Sequence, residues 1–201
     1  MLMKRFFSPK KKKSILFRGK DKLFKSETAN INCYFEYGVG ASTLWILENT
    51  NAKIVAVDSD KRWIKNIKSL LSKKNFSRIK FLYCNIGPIK SWGYPVNYKK
   101  YKNFKFYPNL IWNYKKLKPN VVLIDGRFRV ASFLTTLKES RHGTKIIFDD
   151  YKSRPQYHVV EKIIKPKKKY FDQALFVVPE KKKMNIKKIN NLIKLFEFTL
   201  D

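Results

Sequence analysis

Six short, nearly continuous apolar runs recur along this chain of 201 residues, and they constrain its fold more than any other feature. They cover residues 32–37, 53–58 ("KIVAVD"), 79–84 ("IKFLYC"), 120–125 ("NVVLID"), 144–150 ("TKIIFDD") and 174–178 ("ALFVV"). β-Branched and aromatic residues dominate them, and apolar positions follow one another instead of alternating. That is the pattern of strands buried on both faces. Between them lie segments of helical spacing at 42–48, 61–72, 130–139 and 157–164. The stripe Trp63, Ile64, Ile67, Leu70 and Leu71 is one example, and Ile186, Ile189, Ile193 and Phe196 repeat it near the end. Strand–helix alternation of this kind predicts an α/β, Rossmann-like fold. Its sheet is doubly wound and mostly parallel, with helices on both faces. Ligands of such sheets bind beyond the carboxyl ends of the strands, near a topological switch point. The residues that finish each strand therefore carry the functional reading.

The first run ends "FEYGVGAST". Gly38 and Gly40 allow a sharp turn and a close backbone approach to a ligand. A helix capped by Ser42 or Thr43 follows and turns its free N–H groups toward that ligand. The second run ends on Asp58, about twenty residues after Gly38, the spacing at which an acid reaches ribose hydroxyls. Two details weigh against a dinucleotide. The third glycine of a G-x-G-x-x-G fingerprint is replaced by Thr43, and Glu36 stands two positions before the first glycine. A carboxylate there repels a pyrophosphate and suits a cationic ligand end, such as an ammonium or a sulfonium.

With these residues in place, "FEYGVGAST" resembles the first motif of the class I S-adenosylmethionine (SAM)-dependent methyltransferases, acid-x-Gly-x-Gly, and "IVAVDSD" resembles their second. The likeness runs from about residue 34 to 178. It implies that Glu36 and the Gly38–Gly40 turn, with Ser42 and Thr43, hold the methionine part of SAM. It places Asp58 and Ser59 at the ribose, Asn85 and Ile86 at the adenine, and Asp125 beside the transferred methyl. "LIDGRFRVASFL" and "IIFDDYKSRPQYHVVEKI" resemble a bacterial methyltransferase-like group and, more distantly, the macrocin and catechol O-methyltransferases. There is a weaker likeness to plant glucuronoxylan methyltransferases. The macrocin and catechol enzymes hold Mg²⁺ on a strand-four acid and an acidic pair after strand five, which here are Asp125, Asp149 and Asp150. Oxygen ligands of that kind suit a hard cation, which would orient and acidify a hydroxyl. This chain departs at Arg127-Phe128-Arg129, where the macrocin-type enzymes continue with an acid.

For the catalytic base the candidates are Asp125, Asp150 and His158, whose imidazole titrates near neutrality. Arg127 and Arg129 are candidates for an anionic acceptor. Residues 86–119 form a long insertion with little regular pattern and many aromatic side chains. We read it as a lid or an acceptor-binding loop, with Trp92 and Tyr94 as acceptor contacts. The function expected is SAM-dependent methylation of a small-molecule or carbohydrate hydroxyl.

Charge is the outlier: 45 Lys and Arg against 15 acids, a net +30. Such a field attracts polyanions, so a nucleic-acid methyltransferase or a polyanion-binding protein is an alternative. A second alternative is a SAM-binding protein without catalysis. Against base methylation, the chain carries neither an Asn/Asp-Pro-Pro-Tyr motif nor a Pro-Cys nucleophile. The Lys content also fits compositional drift, which leaves the scarcity of Glu unexplained. Lysine runs at 10–13, 167–169 and 181–183 are the densest, and residues 1–25 read as a basic arm before the methyltransferase-like domain at 26–201. Cys33 and Cys84 fall within strand runs, so buried thiols in a reducing, cytoplasmic setting are expected. No run approaches the ~18 apolar residues of a membrane span, and no apolar leader follows the basic start.

Overall fold

The computed structural model describes residues 15–200. Its centre is a seven-stranded sheet in the order β3-β2-β1-β4-β5-β7-β6. The first five strands, β1 (Cys33–Tyr37), β2 (Lys53–Asp58), β3 (Ile79–Tyr83), β4 (Val121–Ile124) and β5 (Lys145–Phe148), are parallel. β6 (Lys168–Tyr170) and β7 (Gln173–Val177) form an antiparallel pair, and β7 also runs antiparallel to β5. The strand order reverses between β1 and β4, which makes that seam the switch point.

Helices cover both faces, as the apolar runs require. On one face α1 (Lys22–Thr28), α2 (Ala41–Asn49) and α3 (Lys61–Ser69) bury Phe24, Ile46, Leu47, Ile64 and Ile67 against β1, β2 and β4. On the other, α6 (Arg129–Glu139) packs Phe133, Leu134 and Leu137 on β4 and β5, and α7 (Ile186–Phe196) packs on α6. Two one-turn helices, α4 (Lys73–Phe76) and α5 (Tyr107–Leu110), lie in the connections. The segment expected as a helix at 61–72 thus ends at Ser69, leaving Leu70 half exposed. The helix expected at 157–164 is a 3₁₀ helix, Pro155–Lys162. The strand β6 has no apolar signature, because only its backbone pairing with β7 defines it.

The expected basic arm falls in two parts. Its lysine run at 10–13 lies outside the described residues, whereas Leu16, Leu23 and Phe24 are buried against the sheet. The insertion likewise divides. Phe104, Tyr107, Ile111 and Trp112 join the core of the α6 face, while Trp92, Tyr98, Tyr101 and Phe106 stay exposed. Both cysteines are buried free thiols, and burial pushes Cys33 up to about 11 and Cys84 up to about 12.

Candidate active site at the carboxyl edge

The turn after β1 closes against the end of β4. Gly38 has φ +95°, and a Cβ there would stand 2.9 Å from Gly126 N and 3.0 Å from the Asp125 carbonyl. Only glycine combines that backbone angle with that approach. Gly126 is equally confined, since a Cβ on it would meet the Tyr107 hydroxyl at 2.1 Å. The two strand ends are thus locked across the switch point, with Tyr107 of the insertion beneath them.

Glu36 is fully buried, and its carboxylate accepts three hydroxyl donors. Ser42 Oγ donates to Oε1, Thr43 Oγ1 donates to Oε2 at 2.6 Å, and Tyr34 OH donates to Oε1 at 3.3 Å. Burial raises its pKa to about 7 against the pull of those donors. The expectation that Ser42 or Thr43 caps the helix is not met. The N-cap position belongs to Gly40, whose N–H donates to Thr43 Oγ1 at 2.9 Å. The two hydroxyls instead bind the turn to Glu36. Asp58 acts from the other side. Its Oδ2 accepts the Val39 N–H at 2.8 Å and its Oδ1 accepts the Asp60 N–H at 2.7 Å. Burial raises Asp58 to about 6.

Beyond β2 and β3 lies an open cavity of about 300 Å³, lined by Ser59, Asp60, Tyr83, Gly87 and Ile89 among others. Asn85 lies at its border, exposed, with its side chain accepting the Gly87 N–H at 3.1 Å. Ile86 is fully buried in the core and does not face the cavity, contrary to its expected contact with a base. Tyr83 and Ile89 offer apolar surface in its place, and sequence reasoning missed both. Tyr83 sits inside a run that reads as uniformly buried, yet it is 41% exposed.

The acids after β4 and β5 also converge. Asp125, Asp149 and Asp150 each bring a carboxylate oxygen within 4.8 Å of the others. The Arg129 guanidinium, 3% exposed, lies among them. Its Nη2 bridges Asp125 Oδ1 at 3.0 Å and Asp150 Oδ2 at 3.1 Å. Its Nη1 donates to the Asp149 carbonyl at 2.6 Å and its Nε to the Gly126 carbonyl at 3.1 Å. Arg154 adds a second contact to Asp150 Oδ2 at 2.9 Å, and Gln173 donates to Asp149 Oδ1 at 2.9 Å. Burial raises Asp125 to about 6, opposed by Arg129, and burial with the Asp125 charge pushes Asp149 well above the usual carboxylate range. About a third of the Asp125 side chain and about a quarter of the Asp150 side chain are exposed, and Asp150 is held by two arginines where Asp125 is held by one.

The remaining expected residues are placed differently. Arg129 is committed to the acids and does not reach outward for an anionic acceptor. Arg127, 6% exposed, lies against the Tyr94 ring at 4.3 Å, so Tyr94 covers it. Trp92 is 83% exposed, at a left-handed φ of 63°. His158 stacks on Tyr151 and has Nε2 3.0 Å from the Tyr151 carbonyl. A carbonyl only accepts, so that nitrogen carries the proton and is not a base.

No protein-family model and no curated protein matches the chain. Solved structures do. A methyltransferase-like protein from Silicibacter pomeroyi is 26% identical, covering 92% of this chain and 96% of that one, with a TM-score of 0.78. A cofactor-bound protein from MTB is 14% identical over 81% of this chain and 80% of that one, with a TM-score of 0.53. A hypothetical protein from Thermus thermophilus is 13% identical over 87% and 92%, with a TM-score of 0.51. The last two share the fold alone. The chain has the Rossmann-like fold of the class I methyltransferases. None of the described helices is long and apolar enough to cross a membrane.

Proposed function

We propose that this chain is a SAM-dependent methyltransferase that acts on a hydroxyl oxygen of a small molecule or a carbohydrate. The observation that carries the reading is the Gly38 turn, pinned by Glu36 and Asp58 and pressed against Asp125-Gly126 across the switch point. The residues fit the cofactor. Among the described residues neither Glu36 nor Asp58 has a Lys or Arg ion-pair partner, so the turn keeps a negative potential that suits a sulfonium and an ammonium. Bound SAM supplies a methyl group activated by its positive sulfur.

Glu36 is a positioning residue: it fixes the turn through Ser42 and Thr43. Asp58 holds Val39 and retains acceptor lone pairs for ribose hydroxyls, since each carboxylate oxygen has two. The cavity by Tyr83 takes the base. Asp125 accepts the proton of the acceptor hydroxyl. With a pKa near 6 it is ionised at neutral pH and still basic enough to draw that proton. Alignment of the acceptor with the methyl does the rest.

The acidic trio does not fit Mg²⁺. Its inward oxygens already bind the Arg129 guanidinium and the Gln173 amide, so a cation would have to displace a buried, fully engaged arginine. Calorimetry with SAM tests the cofactor, and absence of binding at millimolar SAM refutes the reading. Asp125→Asn is expected to keep SAM binding and to lose transfer from labelled SAM to hydroxyl acceptors. Unchanged transfer removes Asp125 as the base.

A further inference from the structure

The insertion over 86–119 contains eight lysines and no acid. Its outer surface interleaves the two kinds of side chain that bind a nucleic-acid strand. Tyr98, Tyr101 and Phe106 are 63%, 47% and 50% exposed, and Lys99, Lys100, Lys102 and Lys105 beside them are all exposed. Among the described residues none of these four lysines has an ion-pair partner. Farther along the same insertion Lys115 is paired with Glu139, and outside it the lysines at 145, 165 and 169 are paired with Glu27 and Glu161. The charge of this segment is thus left uncompensated where the aromatic rings are exposed.

The patch adjoins the candidate cofactor cavity. Lys100 packs against Gly87, where a Cβ would lie 3.7 Å from the Lys100 Cβ, and Gly87 lines the cavity. On its far side Ser59 Oγ donates to the Gly93 carbonyl at 3.4 Å, next to the exposed Trp92.

We infer that this face of the insertion docks single-stranded RNA and lays the strand along the rim of the active site. Lysines neutralise phosphates, and exposed rings stack on bases that a single strand leaves free. A membrane surface is the poorer fit. Interfacial binding uses one continuous apolar stripe on an amphipathic helix, whereas here rings and lysines alternate on short 3₁₀ turns. The preference for RNA over DNA rests on the oxygen-methylation part of the reading above and puts a ribose of the strand in place of its small acceptor, because only RNA offers a 2′-hydroxyl at each nucleotide.

Fluorescence anisotropy with a labelled 20-nucleotide uridine RNA, across a salt series, tests the surface on the full chain. The affinity is expected to fall with salt. Replacing Lys99, Lys100, Lys102 and Lys105 together by Ala is expected to weaken binding more than tenfold at low salt and to reduce the log–log salt slope by about 3. Replacing Tyr98, Tyr101 and Phe106 by Ala is expected to weaken binding about tenfold with the slope unchanged. Equal affinity for heparin or for anionic phosphatidylserine vesicles, or an aromatic variant that binds like the parent, overturns the proposal. Equal affinity for a matching DNA strand overturns the choice of RNA. If either variant fails to fold, ultraviolet crosslinking of the parent decides: adducts on residues 98–106 support the surface, and adducts confined elsewhere refute it. Calorimetry with SAM runs alongside. A parent that binds RNA and not SAM breaks the methyltransferase reading and leaves the docking surface standing.

Discussion

The two halves of the carboxyl edge bury acids in opposite ways. At the ends of β1 and β2, Glu36 and Asp58 are met by neutral donors: hydroxyls of Ser42, Thr43 and Tyr34, and the N–H groups of Val39 and Asp60. At the ends of β4 and β5, Asp125, Asp149 and Asp150 surround one guanidinium. Burial raises the pKa of acids in both halves. The consequence differs. Neutral donors fix the turn without cancelling its field, so a cationic ligand still feels the carboxylates. Arg129 and Arg154 offset part of the field, and Asp125, held by one arginine and a third exposed, is the acid to which the proposed function gives the proton. Under the proposed function, one half holds the cationic cofactor and the other accepts a proton.

The largest effect is expected at Arg129. Arg129→Ala leaves three acids crowded with only Arg154, on Asp150, as counter-charge and should lower stability by about 3–5 kcal/mol. Thermal unfolding measures it. A loss below about 1 kcal/mol would show that solvent, and not the guanidinium, compensates the trio. Arg129→Lys keeps the charge, loses the fork that reaches Gly126 and Asp149, and should fall between.

Glu36→Gln should cost about 1–3 kcal/mol, because the amide NH2 that replaces one carboxylate oxygen cannot accept the hydroxyl bound on that side, such as that of Thr43 on Oε2. The pH dependence carries a sharper signature. The folded pKa near 7 lies above the unfolded value near 4.5, so the folded state binds the extra proton between those limits. Stability from this group is full below about pH 4.5 and is lost as pH rises through about 7. The Gln variant should flatten that part of the stability–pH profile, whereas an unchanged profile would place the titration elsewhere. SAM affinity of the parent should rise over the same range, as Glu36 ionises.

The smallest effect is expected from metal. Excess Mg²⁺, or its removal with EDTA, should leave melting temperature and methyl transfer unchanged. A clear rise in either with Mg²⁺ would show that the cation displaces Arg129, and the two halves would then share one strategy.

Much of this is legible in the residues alone. Nearly continuous apolar runs can only be buried on both faces, and they locate all five parallel strands. Residues that end such strands must meet at one edge, so Glu36, Gly38, Asp58, Asp125 and Asp149 are found by position. Local periodicity and spacing carry that information. Other features exist only through tertiary contacts. β6 and the antiparallel direction of β7 depend on backbone pairing and not on side-chain pattern. Ile86 is buried in the core, whereas Tyr83 faces out from the edge strand β3. The insertion splits into a buried half, anchored by Tyr107 beneath Gly126, and an exposed half of lysines and rings. Above all, "RFR" carries no sign that its second arginine folds back among three acids, two of them from another segment. Charge compensation joins residues far apart in the chain, and no one-dimensional spacing records which partner wins.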